Sequence, residues 1–177
     1  MVDEFEVIEK SIGPVIEIEE CVKMFRMPAT FSRDYKRIMD YLASQGAECV
    51  DMPYARYQDM DWELELGKSK LAVFFSLFAK KWHFFAGIPT SKPLPGEGEL
   101  KYRVLESQRY VRAVHLGPYQ QCAATYKALY AWAKSQGLSL KNEAIEFYVN
   151  DPHEVDKADI ETVILIPITG SERIKAE

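Results

Sequence analysis

Ser135-Gln136-Gly137 is followed, eleven positions after its glycine, by Tyr148, and Ser44-Gln45-Gly46 is followed at the same interval by Tyr57. Each tripeptide closes a stretch of helical periodicity. Before the first, Thr30 is placed to cap a helix carrying Phe31, Tyr35, Ile38 and Leu42, which Gly46 ends. Before the second, Cys122, Tyr126, Leu129 and Ala133 stripe a helix that stops ahead of Gly137. A strand precedes each helix. Val15 to Val22 alternates until Pro28-Ala29-Thr30 breaks it, and Arg109 to Leu116 runs until Gly117-Pro118. A strand also follows each helix: Pro53 to Tyr57 in the first passage, and Glu146-Phe147-Tyr148-Val149 in the second, halted by Asn150-Asp151-Pro152. The passages finish alike, on Ile88-Pro89-Thr90 and Ile166-Pro167-Ile168.

This internal repeat predicts an α+β fold: two pseudo-symmetric βαββ units forming an antiparallel sheet, with two main helices on one face and a central ligand cleft between the halves. The first unit is expected over about 13–91 and the second over 99–170, with 92–98 as a Pro- and Gly-rich linker in a single 1–177 domain. The first unit is the longer. An insertion near 67–81, including the apolar run Leu71 to Ala79, is expected to lengthen the sheet or cover the groove. The first dozen residues read as an acidic lead-in.

Composition narrows the class. With 47% hydrophobic and 28% charged residues, the chain has the balance of a soluble globular protein. A net charge of -5 and a pI near 5.4 provide no basic stripe, so direct nucleic-acid binding is not expected. The longest apolar run is about half the length a bilayer crossing requires, and no leader pattern opens the chain, which predicts a cytoplasmic protein without a membrane span. Cys21, Cys49 and Cys122 have no paired spacing and read as free thiols. His83, His115 and His153 lack any ligand spacing, and no nucleophile or phosphate-loop motif is present, so no metal and no cofactor is expected.

Along the strand after the second helix, Phe147 and Val149 face one way, Glu146 and Tyr148 the other. A carboxylate and a phenol on one face are either solvent-facing residues or the polar groups of a pocket. Periodicity alone leaves both readings open.

Val114-His115-Leu116-Gly117-Pro118-Tyr119, Glu146 to Pro152, Asp159 to Ile168 and, in the first half, Trp82 to Pro89 together resemble the GyrI-like, or AraC-type effector-binding, family. The resemblance covers nearly the whole chain, with the motifs in order. It implies a pair of βαββ units with a ligand cleft between them. Family members in multidrug-sensing regulators bind lipophilic, often cationic molecules through stacked aromatics and a buried Glu, which corresponds to Glu146. Some stand-alone members hydrolyse cyclopropane-bearing toxins, and one binds DNA gyrase. Two departures stand out. Only about a dozen residues precede the first unit, so no DNA-binding arm is expected. Where many relatives carry an acid before the glycine of the first half's last strand, this chain has Phe85 and Ala86.

The resulting expectation is a binding protein for hydrophobic, cationic or aromatic small molecules, with Glu146 as counter-charge and Tyr148, Tyr57, Phe85 and Trp82 as ring walls. Glu161 is a second candidate acid. The alternatives are a hydrolase using Glu146 and Tyr148 on a reactive ligand, and a module for a gyrase or regulator partner. A homodimer through the apolar insertion stays open.

Overall fold

Tyr54–Gln58 (β3) and Glu143–Tyr148 (β7) lie side by side in the middle of the molecule, antiparallel, with Ala55 directly opposite Glu146. A computed structural model describes residues 5–67 and 80–169. Its other strands are β1 (Glu6–Lys10), β2 (Gly13–Lys23), β4 (Lys81–Pro89), β5 (Lys101–Leu105), β6 (Gln108–Leu116) and β8 (Glu161–Pro167). The described helices are α1 (Met27–Ser44), the short α2 (Trp62–Gly67) and α3 (Cys122–Ser135). All the strands form one antiparallel sheet in the order β1-β6-β8-β7-β3-β4-β2-β5. Outward from the centre, β3-β4-β2 mirrors β7-β8-β6, so β2-α1-β3-β4 and β6-α3-β7-β8 are two copies of one βαββ plan.

Both long helices lie on the same face. Ile38, Tyr41 and Leu42 of α1 pack on Ile16, Ile18 and Ile88, while Cys122, Tyr126, Leu129 and Ala133 of α3 pack on Val111, Ala113, Ala144 and Ile164. Between these clusters lies a third, in which Ala55, Tyr57, Phe84 and Ala86 meet Phe31, Tyr35, Trp82 and Tyr148. The sheet's centre is thus roofed by aromatic side chains instead of by a helix.

The opposite face is closed differently. Glu6 pairs with Arg112 and Lys10 with Gln108, and in the same count Gly13 pairs with Leu105 and Glu17 with Lys101. β1 continuing into β2 and β5 continuing into β6 therefore form one long two-stranded ribbon in a single register. Its partner strands change at the break, from β8 beside β6 to β4 beside β2. The ribbon draws the two ends of the sheet together over a core of Ile12, Val15, Tyr54, Tyr110, Ile145, Phe147 and Leu165.

Three expectations change. The first dozen residues include a paired strand, because Val7 and Ile8 face Val111 and Tyr110 across β6. Helix α1 begins at Met27, with Pro28 in its first turn and no side-chain cap. Pro is preorganised for a helix start, so Thr30 lies inside the helix, buried. β5, which falls in the stretch assigned to the second unit, pairs with β2 of the first. Most of the expected 67–81 insertion lies outside the described residues.

Candidate functional site

Glu146 rises from the middle of the sheet on the helix side, in the gap between α1 and α3. Tyr126 of α3 donates its hydroxyl to Oε1 at 2.8 Å, and Tyr148, two residues along the same strand, donates to Oε2 at 3.1 Å. The Tyr57 hydroxyl stands 3.5 Å from Oε2 and 3.4 Å from the Tyr148 hydroxyl. These partners are all phenols. No Lys or Arg among the described residues forms an ion pair with the carboxylate. Burial pushes the Glu146 carboxyl above the usual carboxylate range, and the three phenol hydrogen bonds, with a smaller electrostatic contribution from His115, pull it only part of the way back. Burial, reinforced by the Glu146 charge, also holds Tyr57, Tyr126 and Tyr148 well above the ordinary phenol range, so their hydroxyls remain donors.

Aromatic rings surround this group. Phe31 and Tyr35 of α1 are stacked at 5.6 Å, and Phe31 also meets Phe84 at 4.9 Å and Tyr148 at 5.7 Å. Tyr57 contacts Trp82 edge-on at 6.2 Å, and Trp62 stacks on Tyr126 at 5.7 Å. Tyr119, in the turn before α3, presents its ring edge to Tyr148 at 5.6 Å and is the outermost of these rings, 37% exposed. His115 pins that turn: its Nε2 donates to the Pro118 carbonyl at 3.2 Å, and its Nδ1 is hydrogen-bonded to the Thr125 hydroxyl at 2.8 Å. Two surface hollows, of about 420 Å³ beside Trp62 and Tyr130 and about 320 Å³ at the turn from Pro95 to Tyr102, lie away from Glu146.

Of the six residues singled out in the sequence, Glu146, Tyr148, Tyr57 and Trp82 share this face. Phe85 does not. It pairs with Arg56 while its neighbour Phe84 pairs with Tyr57, so the strand's alternation turns Phe85 to the far side. There its ring lies 4.2 Å under the Arg56 guanidinium. Glu161 also points away, because the next residue, Thr162, pairs with Tyr148 and takes the helix side. The residues missed were Tyr126, expected only as core, together with Phe31, Tyr35 and Tyr119. A signal for two of them was present: Tyr35 and Tyr126 stand eleven positions before Gly46 and Gly137, as Tyr57 and Tyr148 stand eleven after.

The far side holds a second polar group that the sequence reading did not find. Glu17, fully buried, accepts from Arg56 at 2.9 and 2.7 Å and from Tyr54 at 2.8 Å, and forms an ion pair with Arg103 at 3.0 Å. Its charge is compensated where it stands, which makes it a structural tie between β2, β3 and β5.

Comparison with known proteins agrees with this architecture. The family model of the GyrI-like small molecule binding domain matches residues 71–169, and the chain belongs to that family. None of the curated proteins compared with the chain matches it. Among solved structures, the C-terminal domain of EcmrR superposes with a TM-score of 0.67 at 17% identity, over 95% of this chain and 98% of that one. EcmrR in its complex with DNA gives 0.70 at 19% identity, over 93% of this chain, which spans only 57% of that longer protein. SAV2435 bound to tetraphenylphosphonium gives 0.58 at 12% identity, over 99% of this chain and 98% of that one. Among the described residues, no helix is long and apolar enough to cross a membrane.

Proposed function

We propose that the protein binds hydrophobic, cationic aromatic small molecules over Glu146, in the gap between α1 and α3. One observation carries the reading: the carboxylate at the centre of the ring cluster is bonded only by phenols. An ionised carboxylate taken out of water here has no ion-pair partner among the described residues, and a ligand cation supplies one. The surrounding ring faces of Tyr57, Tyr148 and Trp82 add cation–π and stacking contact, and Tyr126 holds the carboxylate in place. The rings meet one another over the carboxylate, so a ligand enters by taking space they now occupy. SAV2435, of similar fold, was solved with tetraphenylphosphonium, a hydrophobic cation.

Calorimetric titration with tetraphenylphosphonium, a neutral isostere and an aromatic anion, on wild type and Glu146→Gln, tests this. The expected result is saturable binding of the cation alone, weakened about tenfold or more by the substitution. Binding that ignores both ligand charge and the substitution would overturn the reading.

A further inference from the structure

The ring cluster has two halves related by the internal repeat, and only one of them carries an acid. Tyr35 and Tyr126 occupy matching places on α1 and α3, and Tyr57 and Tyr148 matching places on β3 and β7. The residue matching Glu146 is Ala55, which stands directly opposite it in the β3–β7 ladder and therefore on the same face. Ala55 is fully buried and pairs on its other side with Ala86, also fully buried.

The hydrogen bonds follow this difference. Tyr126 gives its hydroxyl to Glu146, while Tyr35, with no carboxylate to meet, gives its own to the Tyr54 carbonyl at 2.9 Å. The remaining α1 side is lined by Phe31, Phe84 and Trp82. The indole Nε1 of Trp82 is buried without a hydrogen-bond partner, and an indole N–H can only donate. Glu20 and Asp34, acids on this side, are both paired with Arg33, Asp34 through Oδ1 alone, while its Oδ2 is buried without a hydrogen-bond partner.

From this asymmetry, and resting on the function proposed above, we propose that the site accepts a single positive charge in one orientation. The cationic end lies at Glu146 on the α3 side, and an uncharged aromatic body lies over Ala55 and Ala86 on the α1 side, where the free Trp82 N–H suits a neutral acceptor on the ligand. A second cation at the α1 end would lose its hydration beside ring faces and beside acids already paired with Arg33, which costs more than cation–π contact restores.

A rigid, near-isosteric pair of two-ring compounds tests this by calorimetry: N-methyl-4-phenylpyridinium, with one charge, and N,N′-dimethyl-4,4′-bipyridinium, with a charge at each end. The monocation is expected to bind wild type about tenfold or more tighter than the dication, and Glu146→Gln to weaken the monocation about tenfold or more while leaving it the tighter of the two. A dication that binds as tightly as the monocation, with both weakened by Glu146→Gln, would overturn the single-charge inference and leave the cation site standing. If neither compound nor tetraphenylphosphonium binds, the cation site itself fails, and this inference with it.

Discussion

Glu146 contributes a pH dependence to the protein's stability. Its carboxyl is raised on folding, mainly by burial, so the native state holds that proton more tightly than the unfolded chain does. The stability this lends is present at low pH and is lost as pH rises through the raised value. Glu146→Gln, which never ionises, is therefore expected to melt higher than wild type at pH 8, with the difference vanishing near pH 4; a thermal melt series across that range measures it. Ligand affinity runs the other way. On the proposed function, binding of a permanent cation draws on the ionised carboxylate, so it is expected to weaken on acidification at a pH above the ordinary carboxylate range. A profile that stays flat until ordinary carboxylates titrate would count against a buried Glu146.

Glu17 shows the other fate of a buried acid. Arg56 and Arg103 compensate it, and Arg56 is itself buried. Replacing Arg56 by Met leaves Glu17 with the Tyr54 hydroxyl and, as its one charged partner among the described residues, the half-exposed Arg103, at an expected cost of about 3–5 kcal/mol in urea unfolding. Gly87 belongs to the same neighbourhood. A Cβ there would sit 2.3 Å from the Tyr54 ring, which lies across the glycine to reach Glu17. Gly87→Ala forces that ring aside and is expected to destabilise by roughly 1–3 kcal/mol, measured the same way.

At the level of elements, β4 divides its residues strictly between the two sides of the sheet. Trp82, Phe84, Ala86 and Ile88 serve the helix side, while His83, Phe85 and Gly87 serve the ribbon side. Helices α1 and α3 each supply one tyrosine to the centre from the same turn, and only α3 finds a carboxylate. Tyr126→Phe removes the shortest hydrogen bond to Glu146. It is expected to raise that carboxyl further and to move the acid limit of cation binding upward, seen as a shifted pH midpoint in the calorimetric titration with the fold unchanged by circular dichroism. Tyr35→Phe, whose hydroxyl bonds backbone, is the control and leaves the midpoint where it was.

Across the whole molecule, the sheet depends on residues far apart in the chain. The ribbon of β1–β2 with β5–β6 ties the N-terminal strand to the chain's middle, and its register holds the two ends of the sheet together. Removing residues 1–10 strips Phe5, Val7 and Ile8 from the two cores they border. The loss is expected to be on the order of 3 kcal/mol or more in denaturant unfolding, with faster amide exchange along β6.

The repeat and the strand–helix alternation were legible because they are local. Ser-Gln-Gly at each helix end, Pro and Gly at the breaks, and alternation along Glu146 to Val149 all act through backbone preferences and side-chain periodicity that a single stretch of chain carries. These determined the α+β class, the two helices and the shared face of Glu146 and Tyr148. The tertiary structure decided the rest. Which face Phe85 takes depends on the register of β4 against β3, a pairing between distant segments that a one-residue slip would reverse. That the opening residues pair as a strand depends on β6 offering an edge a hundred residues away. That Tyr126 is a partner of Glu146 and not simple core filling, and that Ala55 leaves the other half of the site without an acid, emerge only when the antiparallel centre sets the two repeats face to face, because a hydrogen bond is made by position in space and not by spacing along the chain.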